Sequence, residues 1–234
     1  MFRKLLIIFL FLVSTLWCLW QVSRIESFQL FGTLISEVET DKPVIALTFD
    51  DGPTRKFTPD ILETLAEHNV RATFFVNGKP LAENPDIGRR MVKSGHELGN
   101  HSYTHRRMVF MPPWSVRREI EDTDKEIRKI GYTGTIHFRP PYGKKLFVLP
   151  MYLSRHNRPT IMWSMAPEEN VPSDQGADAL TAYVLDHASS GDIILLHPMF
   201  STGQRTRDAL ASIIVELRAA GFTFVTLSEL LDTP

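Results

Sequence analysis

The sequence predicts an α/β fold whose mainly parallel sheet wraps into a barrel-like form. Two observations carry this. Short apolar, β-rich runs alternate with stretches bearing apolar residues at helical spacing, the pattern of βα units. Several of the helical stretches are closed by a glycine, Gly95, Gly131, Gly191 and Gly221, as helix C-termini commonly are. No repeat or low-complexity tract interrupts the 234 residues, enough for one sizeable core.

The chain opens on Met1-Phe2-Arg3-Lys4, and Leu5 through Trp20 then carries no charge. At about 1.5 Å per residue this run spans about 24 Å, short of a hydrocarbon layer of about 30 Å yet long for a signal-peptide core. The flank offers Leu16, Trp17 and Trp20 in place of the small residues a signal peptidase needs, so residues 1–24 read as an uncleaved signal anchor. Arg3 and Lys4 keep the short N-terminal side cytoplasmic, and everything after Arg24 is expected outside, membrane-anchored, or secreted if the segment is cut. Cys18 follows Trp17, a poor lipoprotein context, and reads as a lipid-facing hydrophobe.

Residues 25–42 read as a connector and 43–234 as the folded domain. Seven strands are predicted there: Val44–Phe49, Thr73–Val76, His96–Gly99, Thr135–Arg139, Thr160–Ser164, Ile193–His197 and Thr223–Leu227. Helices are predicted at Pro59–His68, Pro85–Lys93, Val116–Ile130, Ala177–Ala188 and Arg207–Ala219.

Composition narrows the function classes. Hydrophobic residues at 43% and charged residues at 23% exclude extended disorder. Lys+Arg 26 against Asp+Glu 27 leaves a net charge of −1, which provides no global field for nucleic acid. One cysteine allows neither an intramolecular disulfide nor a cysteine zinc site, so a metal here must use histidine and carboxylate ligands.

In barrels of this kind chemistry sits at the C-terminal strand ends. The first strand ends Asp50-Asp51-Gly52-Pro53, two adjacent carboxylates whose repulsion a metal ligand paired with a base would resolve. The third leads into His101-Ser102-Tyr103-Thr104-His105, whose imidazoles, four apart, could share one face of a helical turn and clasp a metal. With Asp51 they leave positions open for water and substrate, and zinc is the first expectation. The fourth strand ends Arg139-Pro140-Pro141-Tyr142-Gly143, with Arg139 expected to hold Asp50 ionised. The sixth ends on His197, a candidate general acid.

Together T-F-D-D-G-P, H-S-Y-T-H, R-P-P-Y-G and L-L-H, in this order over about Pro43 to Leu231, resemble the NodB-homology polysaccharide deacetylases of carbohydrate esterase family four. The resemblance implies a distorted (β/α)7 barrel behind one transmembrane anchor. It implies removal of acetyl from an N-acetylglucosamine-containing glycan, with one divalent cation, zinc or else cobalt, nickel or manganese. It assigns Asp51, His101 and His105 to the metal, Asp50 as general base, His197 as general acid and Arg139 as the group orienting Asp50. It gives the Tyr142 N–H to an oxyanion hole, Leu195 to the acetyl-methyl pocket and His96 a structural part.

One motif departs. After Trp163-Ser164-Met165 the family usually carries an acid, then a second acid and Trp; here the residues are Ala166-Pro167-Glu168-Glu169-Asn170. The acid that supports the catalytic imidazole is missing at Ala166, with Glu168 or Glu169 as candidate substitutes. Two alternative readings follow: a metal-binding glycan module without turnover, or an O-acetyl esterase on a plant-type polysaccharide. Phe110, Met111 and Trp114 are candidates for stacking on sugars or capping the barrel. The paired basics Arg106-Arg107 and Lys144-Lys145 receive no role.

Overall fold

A computed structural model describes residues 2–234. The element order is α1 (Phe2–Val22), β1 (Leu34–Ile35), β2 (Val44–Asp50), α2 (Thr58–Glu67), β3 (Thr73–Val76), α3 (Gly78–Glu83), α4 (Pro85–Lys93), β4 (Glu97–Asn100) and α5 (Pro113–Lys129). There follow α6 (Val148–Arg155), β5 (Thr160–Ile161), α7 (Pro167–Asn170), α8 (Ala177–His187), β6 (Ile193–Leu196), α9 (Gln204–Ala219), β7 (Thr223–Val225) and α10 (Leu227–Leu231).

All pairings between these strands are parallel. β2 lies at the centre. One of its edges takes β6 along Ala46–Phe49, and the other is shared by β7 at Val44–Ala46 and β3 at Thr48–Asp50. β4 adds outside β3. Single-residue bridges carry the wall onward, from Asn100 to Phe138, from Phe138 to Thr160 in β5, and from Met165 back to Ile194 in β6. This ring is the distorted barrel.

The fourth predicted strand, Thr135–Arg139, is thus reduced to one bridge at Phe138, and β5 keeps only the first two residues of Thr160–Ser164. Pro140 and Pro141 have no N–H, so the ladder stops after Arg139. The stretch read as a connector contributes β1, paired with β5, and its Leu34, Ile35 and Val38 pack on buried core residues.

Side chains alternate along the staves with the strand period of two. Ile45, Leu47 and Phe49 of β2, Phe74 and Val76 of β3, and Ile194 and Leu196 of β6 pack outward against Ile61, Leu65, Ile213 and Ile214 of the helices. Ala46, Phe75, Ile193 and Leu195 form a second cluster inside the ring. Thr48 and Asp50 share that inward register, so the pleat delivers the Asp50 carboxyl to the barrel mouth. Gly99 in β4 serves the same interior: a Cβ there would lie 2.5 Å from the Phe75 ring.

Among the described residues α1 is the one helix long and apolar enough to cross a bilayer, and none of its side chains is buried. Its 21 residues span about 31 Å, because Phe2–Lys4 and Gln21–Val22 extend the uncharged run predicted from sequence.

Candidate functional site

Asp50 ends β2, buried, and its Oδ1 accepts from Arg139 Nη1 at 2.6 Å. The same nitrogen donates to Thr48 Oγ1 at 2.8 Å, and Nη2 donates to the Met162 carbonyl at 2.9 Å. The guanidinium stacks 4.1 Å over Phe75. Arg139 is fully buried, so its planar fork is fixed on three sides. Burial alone would raise the Asp50 pKa, but the Arg139 charge, followed by His101 and His197, holds the carboxyl below its ordinary value. Replacing Arg139 by Met strands that carboxylate in the interior. We expect a loss of about 3–5 kcal/mol of stability, read as a lowered urea midpoint.

Asp51 occupies the turn after β2 with φ +72°. Its Oδ1 lies 3.2 Å from His105 Nε2 and 3.9 Å from His101 Nε2. The second Asp50 oxygen, Oδ2, stands 3.6 Å from His101 Nε2. His101 is buried, and its Nδ1 lies 2.9 Å from the Arg139 carbonyl oxygen. A carbonyl only accepts, so Nδ1 donates to it and Nε2 is the nitrogen left facing the aspartates. Burial, then the neighbouring His101, pushes the His105 imidazole below its ordinary pKa.

The ligand atoms of Asp51, His101 and His105 lie within 4.8 Å of one another, and Asp51 Oδ1 is a buried oxygen with no hydrogen-bond partner. An orphaned carboxylate oxygen facing the Nε2 atoms of two imidazoles is a donor set that fits a divalent cation.

The two histidines do not share a helical face. Residues 101–105 form a loop after β4, with Ser102 at φ +66° and His105 at φ +57°. What shapes it is Glu119, buried on α5. Its Oε2 accepts from the Tyr103 and Thr104 N–H groups at 2.9 and 2.8 Å, and its Oε1 accepts from Thr104 Oγ1 at 2.6 Å. Asn77 adds a hydrogen bond to the His101 carbonyl at 2.7 Å. Glu119 escaped the sequence reading; its burial among the solvated charges of α5 had no local signal.

Tyr142 lies on the opposite wall, half exposed, with φ +59° and its ring 4.6 Å from that of His105. Leu195 is buried on β6 beside Trp163 and Phe75. His96 lies apart from these groups. Burial, then the charge of Arg71, depresses its pKa to about 4, and Nδ1 accepts from the Ala72 N–H at 3.2 Å, a structural role. Met111 is buried in the core, whereas Phe110 and Trp114 are exposed.

His197 follows β6, and the missing acid is supplied by Glu168. Glu168 Oε2 accepts from His197 Nδ1 at 2.6 Å, while Oε1 accepts from the His197 N–H at 2.9 Å and from the Thr206 hydroxyl. Burial of the imidazole would lower its pKa; the hydrogen bond and charge of Glu168, with Asp50 and Asp51 behind, raise it to about 9. Asp51, Glu168, His197, Phe200 and Thr206 line a cleft of about 330 Å³. The structure therefore gathers Asp50, Asp51, His101, His105, Arg139, Tyr142 and His197 at one mouth, with Leu195 on the inner wall.

A family model described as Polysaccharide deacetylase matches residues 37–154. A peptidoglycan-N-acetylglucosamine deacetylase of Bacillus cereus is 34% identical over 200 residues, covering 86% of this chain and 93% of that protein. The peptidoglycan-N-acetylglucosamine deacetylase of Listeria monocytogenes serotype 1/2a is 36% identical over 197 residues, but there the match spans 40% of the longer protein. Among solved structures, a peptidoglycan N-acetylglucosamine deacetylase superposes with a TM-score of 0.78 at 34% identity, covering 85% of this chain and 92% of the other. A carbohydrate esterase family four pseudoenzyme from Bacillus anthracis superposes at 0.76 with 29% identity, covering 87% and 70%. On sequence, fold and assembled strand ends alike, this chain belongs to the polysaccharide deacetylase family of hydrolases.

Proposed function

We propose that the protein is a divalent-cation-dependent N-deacetylase of N-acetylglucosamine residues in peptidoglycan. We place it on the outer face of the membrane, held by residues 1–24 as an uncleaved anchor ahead of the folded domain. The observation that carries the reading is the buried, unpartnered Asp51 Oδ1 facing the Nε2 atoms of His101 and His105 beside an Arg139-held carboxylate. Relatives named as deacetylases of this sugar support the substrate class.

In this reading Asp51, His101 and His105 hold the cation, with zinc the first expectation and cobalt, nickel or manganese the alternatives. When bound, it polarises the amide carbonyl and acidifies a water. Asp50, kept ionised by Arg139, takes the proton from the attacking water. The Tyr142 N–H donates to the oxygen that becomes negative, and Leu195 bounds the space for the acetyl methyl. His197, charged through Glu168, gives a proton to the departing amine. Glu168 beside the imidazole favours turnover over a binding module, since the motif that lacks its acid at Ala166 regains one two residues on.

His101→Ala tests the ligand set. Its metal content after reloading with zinc should fall well below one per chain, and acetate release from N-acetylglucosamine oligomers should disappear with it. Unchanged metal would strike His101 from the ligands.

A further inference from the structure

The end of α1 is built into the wall of the site. Ser23, just past the helix, is fully buried, and its carbonyl accepts from the Lys145 N–H at 3.2 Å. The Lys145 side chain is buried too, and its Nζ donates to the Ile25 carbonyl at 2.8 Å and the Gly143 carbonyl at 3.3 Å. A cation at the carbonyl end of a helix is favourably placed against the helix dipole. Lys144 lies 4.7 Å over the Trp20 ring. Both lysines follow directly on Tyr142-Gly143, and the Tyr142 ring packs, tilted, on His105. These contacts lead from the anchor to the ligand cluster.

The surface around this junction is basic and apolar. Arg107 stacks 4.2 Å over the Tyr142 ring, and Arg24 and Arg107 are close enough to Lys144 to lower its pKa, after the effect of burial. Glu26 sits on the same edge and acts on the buried Lys145. Ile25, Phe28, Phe110 and Phe147 are exposed beside these cations, and Phe110 and Phe147 line an apolar cleft of about 340 Å³. Such a mixture suits the boundary of a bilayer, where cations meet lipid phosphates and rings sit at headgroup level.

Resting on the reading of α1 as a membrane anchor, we infer that the rim of the site formed by Arg24, Arg107, Lys144, Phe110 and Phe147 docks on anionic phospholipid headgroups. The mouth is then held against the membrane face, and the acetyl groups it reaches are those on glycan lying close to the bilayer. The occupant is the lipid surface because the apolar and basic rim is continuous with the helix that enters that surface.

The test uses the full chain with Cys18→Ser, carrying either Phe147→Cys or Glu67→Cys, each labelled with a fluorophore. Glu67 ends α2 at the far end of the barrel from the mouth. In vesicles containing nitroxide-headgroup lipid, resistance to alkaline carbonate extraction reads the anchor alone, and quenching reads docking. With phosphatidylglycerol present, the label at 147 should be quenched well beyond that at 67. The docked fraction should fall with added salt, and about fivefold for each of Arg24→Gln and Lys144→Gln. Equal quenching at the two positions, or equal quenching with phosphatidylcholine alone, overturns the inference while leaving the anchor intact. Extraction by carbonate overturns the anchor and the inference with it. The salt titration needs neither Arg24→Gln nor Lys144→Gln and so is independent of the folding of those two variants.

Discussion

Asp50→Asn should lower acetate release by about 10²–10⁴-fold while metal content stays at the wild-type level. The amide oxygen can still accept from Arg139, and Asp51, His101 and His105 keep their positions, so neither fold nor ligand set is removed. What disappears is the charge that the proposed capture of a proton from water requires. The effect belongs in kcat, with little change in KM, since the proton moves only as the water attacks. The paired measurement is metal per chain and initial rate on the same sample, with a thermal melt to confirm folding. Loss of metal in this variant would show that the two aspartates have exchanged roles.

Glu168→Gln should produce the second large effect, a change in the shape of the pH profile together with a fall in rate. With Glu168 in place the His197 pKa is raised to about 9, so the imidazolium persists through neutral pH and is lost as pH climbs through that value. Without the carboxylate the hydrogen bond and the charge that raise this pKa most are gone while burial still lowers it, so the value falls. The alkaline limb of activity should therefore move to lower pH, and a shift of about two units reduces the rate at pH 8 by about tenfold. A bound cation lowers both limbs together, so the difference between the two proteins at equal metal loading is the quantity to read. A purely structural Glu168 would instead lower the rate at every pH without moving the limb.

Much of this site is legible in the sequence because its members sit where a short apolar run stops. Asp50 ends its stave, His101 and His197 come directly after theirs, and strand-end position is a local property. Arg139 follows the same logic even though its stave shrinks to one bridge. Glu168 is another matter. It reaches His197 across 29 residues, and only the closure of the barrel at Met165 and Ile194 brings them together. The spacing of His101 and His105 is compatible with a helical turn, yet Glu119 on α5 captures the N–H groups at 103 and 104 and fixes a loop instead. Elements whose shape is set by distant partners leave no periodic trace, and the junction of Lys145 with the end of α1 is a further case.

Four residues of the mouth, Asp51, Ser102, His105 and Tyr142, hold backbone angles with φ between +57° and +72°. Side chains with a Cβ pay for that conformation in stability, typically about 1–3 kcal/mol where the surroundings enforce it. Glycine would relieve the strain at all four, and glycine would also delete two of the proposed ligands and the ring packed on one of them. Selection for heat resistance and selection for turnover therefore favour different residues at the same positions. An engineered thermostable descendant should gain its stability from the helices and the barrel exterior, and a library screened on melting temperature alone should drift toward proteins that keep the barrel and lose the hydrolase.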